Sequence, residues 1–217
     1  MLTKILTDLL PYHATLVAVS KTKSNEAILN LYHQGIRIFG ENYVQELIAK
    51  QESLPKDIQW HFIGHLQTNK IKFIAPYISM IHSVDSLKML EEIDKQGKRS
   101  GRVIDCLLQF HIAQEETKFG LDRLEADEIL ASSKFQSLHA VRVCGVMGMA
   151  TFTENKEQVR KEFRSLKDTF DYLKSIYFPE APDFKHISMG MSDDYLMALE
   201  EGSTMVRIGS LLFGKRS

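Results

Sequence analysis

Cysteine is scarce in this 217-residue chain, which has two, Cys106 and Cys144. Each lies in an apolar stretch, Val103 to Phe110 and Val141 to Val146, that reads as a buried strand. Such thiols read as small buried hydrophobes in a reducing compartment, against a disulfide framework or a cysteine metal site. Excess charge is also lacking. With 27 Lys+Arg against 28 Asp+Glu, the formal net charge of -1 leaves no electrostatic footprint for nucleic acid or an anionic membrane. No apolar run approaches the ~20 residues of a membrane span. Met1 to Pro11 is apolar-periodic but is interrupted by Asp8 and Pro11, so it lacks the core and cleavage site of a signal peptide. No linker of Gly, Ser or Pro and no low-complexity segment divides the chain. The expectation is one domain over residues 1–217, cytoplasmic, acting as a monomer on a small ligand, with no nucleic-acid or membrane partner and no metal.

A glycine-rich turn after the first strand is missing too, which argues against an open doubly wound sheet. What is present is 44% hydrophobic residues, enough for a substantial core, arranged as short β-branched runs alternating with amphipathic stretches of helical period. Strands are predicted at Thr15 to Val19, Arg37 to Phe39, Gln59 to Ile63, Met80 to Ser83, Val103 to Phe110, His139 to Val146, Phe184 to Ser188 and Thr204 to Ile208. Helices are predicted over Ser24 to Tyr32, with Gly35 just beyond, and over Ser86 to Lys95 and Lys156 to Ser175. Eight such units predict an α/β fold, a closed (β/α)8 barrel with short loops.

A barrel keeps its chemistry at the C-terminal ends of its strands. The first, Leu16-Val17-Ala18-Val19-Ser20-Lys21-Thr22-Lys23, runs straight into a lysine. Against apolar residues a lysine loses its proton more readily and can attack an aldehyde to form a Schiff base. Alone, the segment fits better a solvated charge marking the strand's end. Other strand ends add Gly40-Glu41-Asn42-Tyr43, the run Gly64 to Lys70, His82 and Ser83, and Met147-Gly148-Met149. The seventh and eighth add Ser188-Met189-Gly190-Met191-Ser192-Asp193-Asp194 and Arg207-Ile208-Gly209-Ser210. Loops after those two strands commonly form a phosphate site, with Ser192, Gly209 and Ser210 as neutral donors. The plainer reading, that Ser192 caps a helix over Asp193 to Glu201 and Gly209 ends a strand, weakens because both loops occur together. Arg207, in an apolar strand, is expected to point into the barrel mouth and needs an acceptor: a phosphate, a protein carboxylate or a cofactor ring nitrogen. A Schiff-base lysine with an arginine at a pyridine nitrogen points to pyridoxal phosphate.

These segments, the second taken as Phe39 to Glu46, together with Trp60 to Lys70, Lys118-Phe119-Gly120 and Gly202 to Gly209, run in order along nearly the whole chain. On them the chain resembles the pyridoxal-phosphate homeostasis protein family, whose barrel is similar to the alanine racemase N-terminal domain. The resemblance implies that Lys21 forms an internal aldimine with pyridoxal 5'-phosphate and that Arg207 approaches its pyridine nitrogen. It implies further that Ser192, Gly209 and Ser210 hold the phosphate, that Asn42 sits near the ring, and that Met191 and His82 line the pocket. Lys70 reads as an anion-attracting charge or a plain helix-start lysine, the plain reading being preferred. Two departures stand out: Ser210 where many relatives carry threonine, and His111 where they often carry asparagine. His111 is expected to be a satisfied core histidine.

A pyridoxal-phosphate enzyme needs an acid or base on the far face of the cofactor and a carboxylate pocket. Related racemases draw theirs from a second domain, which is expected to be absent because the chain stops at Gly214-Lys215-Arg216-Ser217. The leading expectation is a cofactor-binding protein of vitamin B6 homeostasis with no catalytic residue, supplying apo-enzymes as its clients. A low-activity amino-acid racemase is the alternative, and a cofactor-free barrel using Lys21 for aldol chemistry is the third.

Overall fold

The computed structural model describes residues 1–114 and 119–214. Lys118 of the Lys118-Phe119-Gly120 segment lies outside the described residues, as do Lys215, Arg216 and Ser217. Eight parallel strands close into a barrel in sequence order: β1 (Thr15–Val19), β2 (Ile38–Glu41), β3 (Gln59–Phe62), β4 (Met80–Val84), β5 (Ile104–Phe110), β6 (Val141–Gly148), β7 (His186–Ser188) and β8 (Met205–Ile208). Closure is made by β8 against β1, where Val17 faces Arg207 in register. The helices are α1 (Leu2–Leu9), α2 (Asn25–His33), α3 (Val44–Ser53), α4 (Ile71–Ile74), α5 (Leu87–Ser100), α6 (Arg123–Ala131), α7 (Ser133–Gln136), α8 (Lys156–Ile176), α9 (Tyr195–Glu200) and α10 (Ser210–Phe213). Among the described residues no helix is long and apolar enough to cross a membrane.

The strand boundaries differ from the pattern-based ones where side chains override it. β2 runs on through Gly40 and Glu41, because Glu41 is buried and pairs in register with Phe62. β6 begins at Val141 and not His139, since the amides of His139 and Ala140 donate to Asp94 Oδ1 of α5, both at 2.7 Å. α2 starts as expected, with the Ser24 hydroxyl accepting the Ala27 amide. His111 is not a core residue: it sits exposed just past the end of β5, its amide donating to Leu121 O at 3.1 Å. Cys106 and Cys144 are free and buried, and burial pushes both thiols up, that of Cys144 to about 12.

Alternation along each strand divides the core in two. Outward residues such as Leu16, Ala18, Phe39, Trp60, Phe62 and Ile81 pack beneath the helices in the large cluster. Inward residues Val17, Met80, Leu107, Cys144, Met147 and Met205 form a separate apolar plug inside the barrel.

Above the plug the interior turns polar. His61, His82, Ser188 and Arg207 are each at most 4% exposed. Arg207 Nη1 donates to Ser188 Oγ at 2.7 Å, Ser188 Oγ lies 3.1 Å from His82 Nδ1, and His82 Nε2 lies 2.9 Å from His61 Nδ1. The guanidinium field favours protons pointing away from it, so we assign Ser188 O–H as donor to His82 and His82 Nε2–H as donor to His61. Both imidazoles are thus neutral. Burial, reinforced by neighbouring positive charge, holds His61 down to about 3 and His82 well below the ordinary histidine range.

A histidine depressed in the folded state takes up its proton only on unfolding, so its contribution is fully present above the unfolded value near 6.5 and is lost as pH falls toward about 3. The unfolding free energy is therefore expected to fall as pH is lowered from 7 to 5, by up to about 1.4 kcal/mol per pH unit for each buried histidine, and the urea midpoint to drop with it. A midpoint constant across that interval contradicts the neutral assignment.

Candidate cofactor-binding site

A pocket of about 300 Å³ opens at the C-terminal ends of the strands. Seven of the eight residues singled out from the sequence line it: Lys21, Asn42, Met191, Ser192, Arg207, Gly209 and Ser210. The eighth does not. His82 is fully buried one layer below, where it reaches the pocket only through Ser188 and Arg207, because its strand points it into the barrel axis beneath the guanidinium.

Lys21 follows β1 after one residue, Ser20, and stands half-buried in a turn over residues 20–23 closed by the Lys23 amide donating to Ser20 O at 3.0 Å. Thr22, the next residue, holds a left-handed φ of 64°. For a β-branched residue that conformation costs about 1–3 kcal/mol and persists only when its surroundings enforce it. The enforcement comes from below. Glu46 Oε1 accepts the Thr22 amide at 2.6 Å, Glu41 Oε1 accepts the Ser20 hydroxyl at 2.6 Å, and Lys50 Nζ donates to Ser20 O at 2.7 Å. Lys50 also bridges Glu41 at 2.7 Å and Glu46 at 2.6 Å. Burial raises the Glu41 carboxyl above its ordinary range against the opposing pull of Lys50 and Ser20. Lys23 has its ammonium on Phe213 O at 3.3 Å, at the pocket's edge.

Arg207 comes up from β8 into the pocket floor. Its guanidinium does point into the barrel, and the protein itself supplies acceptors: Ser188 O at 2.8 Å, Ser188 Oγ, and Gly148 O at 3.1 Å. Burial lowers its pKa to about 10, partly offset by the Asp194 carboxylate, so it stays cationic at neutral pH.

Ser192 does not cap the helix that follows it. That helix begins at Tyr195, and Asp194 Oδ1 turns back to accept the Met191 amide at 2.5 Å. The Ser192 hydroxyl instead accepts the Gly209 amide at 3.3 Å, which brings the loops after β7 and β8 together. Burial raises the Asp194 carboxyl, while the Met191 amide and Arg207 pull it down. On the opposite wall Asn42 carries a buried Oδ1 without a hydrogen-bond partner. Asn42 is held close to Gly64, where an added Cβ would meet Asn42 O at 2.6 Å and Asn42 Cα at 2.7 Å. Beyond Asn42 a second hollow of about 280 Å³ is lined by Tyr43, His65, Gln67 and Lys70, with Lys70 ending a short turn before α4.

Lys50 and Phe152 carried no readable signal, and Glu46 was legible only as the end of the Phe39 to Glu46 segment, with no role attached. Glu46 and Lys50 look like an ordinary i,i+4 surface pair of α3, and only tertiary packing buries Lys50. Phe152, 88% exposed in the loop after β6, also lines the pocket.

Comparison with known proteins agrees with this architecture. The family model described as alanine racemase, N-terminal domain, matches residues 3–217. The pyridoxal phosphate homeostasis protein of Aquifex aeolicus is 41% identical over 94% of this chain and 87% of its own length. The structure of PipY from Synechococcus elongatus PCC7942 without PLP superposes with a TM-score of 0.89 at 34% identity, covering 98% of both chains. The structure of PipY with PLP bound gives 0.84 at 33% identity, again over 98% of each. The chain therefore belongs to the alanine racemase N-terminal domain family and, within it, to the pyridoxal phosphate homeostasis proteins.

Proposed function

We propose that this protein binds pyridoxal 5'-phosphate in the pocket at the barrel mouth, held through a Schiff base to Lys21, and acts as a carrier that limits the free aldehyde and influences its supply to apo-enzymes. The observation that carries the reading is convergence: Lys21 after β1, Arg207 on β8, and Ser192 with Gly209 and Ser210 after β7 and β8 meet at one pocket of about 300 Å³. The residues fit the group chemically. An amine suits the aldehyde, a guanidinium the ring nitrogen, and amide and hydroxyl donors the phosphate. The unpartnered Asn42 Oδ1 leaves an acceptor for a ring substituent. PipY, a relative at 33% identity, has a PLP-bound structure.

The bound group would supply an electrophilic aldehyde and an electron-accepting ring. Arg207 would hold the ring nitrogen and keep its own proton, which would weaken that electron sink. Among the described residues, the titratable groups lining the pocket are Lys21, Lys23, Asp193 and Arg207. Lys23 is engaged with Phe213 O. In that set the Asp193 carboxylate is a candidate to exchange a substrate proton, so the preference for carriage over turnover rests on the weakened electron sink. The second reading, a low-activity amino-acid racemase, is favoured by the family's alanine racemase relatives.

Borohydride reduction of the cofactor-loaded protein followed by peptide mapping is expected to find the adduct on Lys21; an adduct chiefly on Lys23 or Lys70 defeats the assignment. Ser192→Ala is expected to weaken binding of pyridoxal phosphate by roughly 1.5–3 kcal/mol, the worth of one hydrogen bond to a charged group, while leaving binding of unphosphorylated pyridoxal unchanged. Equal affinity of the wild type for both ligands would show that no phosphate site exists there. Incubation of the loaded protein with single amino acids is expected to give no racemisation or keto acid, together with cofactor transfer to an apo-enzyme. Robust turnover lost in Lys21→Ala establishes the racemase reading instead.

A further inference from the structure

Resting on that reading of Lys21, we propose that the buried Glu41–Lys50–Glu46 cluster is a positioning device that holds the Lys21 turn in the conformation that presents the amine to the pocket. Lys50 is 4% exposed and Glu41 fully buried. A buried ion cluster is a poor source of stability, because desolvation offsets the attraction. This one is poorer still, since Glu41 Oε2 has no hydrogen-bond partner. What the cluster does instead is grip both neighbours of Lys21. On one side Ser20 gives its hydroxyl to Glu41 and accepts Lys50 on its carbonyl; on the other Thr22 gives its amide to Glu46.

The grip coincides with a backbone outlier. Thr22 at φ 64° would relax toward ordinary extended or helical geometry if its amide were released, and the peptide joining it to Lys21 would rotate with it. The same cluster reaches the adjoining wall, because Glu41 directly precedes Asn42 at the end of β2, the strand paired with β1. Lys50 thus ties the lysine turn, the Asn42 wall and α3 into one body. Glu41, Glu46 and Lys50 are positioning residues in this account, touching the bound group only through the turn.

Coupling between Glu46 and Thr22 distinguishes this role from a purely structural one. Glycine adopts a positive φ without support, so Thr22→Gly makes the Glu46 contact dispensable. Glu46→Ala, Thr22→Gly, the double variant and the wild type are compared in two assays, alongside urea unfolding. One is the rate of pyridoxal-phosphate adduct formation by visible absorption. The other, without cofactor, is the Lys21-to-Lys23 ratio on trace acetylation with acetic anhydride. Glu46→Ala is expected to slow adduct formation about tenfold in the wild-type background and less than about threefold in the Thr22→Gly background, with the acetylation ratio shifting only in the former. Equal losses in both backgrounds, or losses that follow the unfolding midpoint, overturn the proposal. If Glu46→Ala fails to fold, Ser20→Ala, which removes one hydroxyl link, must slow adduct formation, and an unchanged rate there overturns it equally. Absence of any adduct in the wild type with a shifted acetylation ratio refutes the carrier reading and keeps the clamp. Normal adduct formation with neither assay responding refutes the clamp and keeps the carrier.

Discussion

A guanidinium at the centre of a closed barrel is the constraint around which the interior is arranged. Arg207, 4% exposed, cannot remain charged there without acceptors. Ser188 and the Gly148 carbonyl provide them, and the Ser188 hydroxyl passes the demand on to His82 and His61. Four strands thereby contribute to one directed chain of hydrogen bonds. The apolar plug beneath it, with Val17, Leu107 and Met205, keeps water from replacing those bonds from the other end. The pocket floor is consequently fixed before any ligand arrives.

The walls are built on a different principle. Lys21 and Asn42 sit on short strand-end segments whose geometry is imposed from outside the barrel by α3, through Glu46 and Lys50, while the β7 and β8 loops are joined by Ser192 and Gly209. A rigid cationic floor, the Lys21 amine with Lys23 at the rim, and a cradle of neutral donors suit a small anionic aldehyde better than a bulky or cationic ligand. In the proposed function, Arg207 at the ring nitrogen would also disfavour deep electron withdrawal, joining the binding role to weak chemistry in one side chain.

Much of this was legible in the sequence because barrels place chemistry by position. The lysine after β1 and the paired loops after β7 and β8 fall where strand counting puts them, and seven of eight singled-out residues line one pocket. His82 shows the limit. The sequence pattern puts it at a strand's C-terminal end, but β4 runs on to Val84 and leaves His82 mid-strand, fully buried below the pocket. Lys50 shows another limit, since a lysine four residues after a glutamate on an amphipathic helix looks like surface charge until the β1 and β2 ends close over it. His111, expected to be a core histidine, is exposed because β5 ends one residue before it, at Phe110.

In the proposed function one ligand spans the pocket from Lys21 to the Ser192–Gly209 cradle across Arg207. A crystal structure of the protein soaked with pyridoxal phosphate tests it most directly. Density is expected to be continuous with Lys21 Nζ, with the ring nitrogen against the Arg207 guanidinium and the phosphate on the Ser192, Gly209 and Ser210 donors. Density joined to Lys23, or a phosphate seated in the hollow beside Lys70, would contradict it.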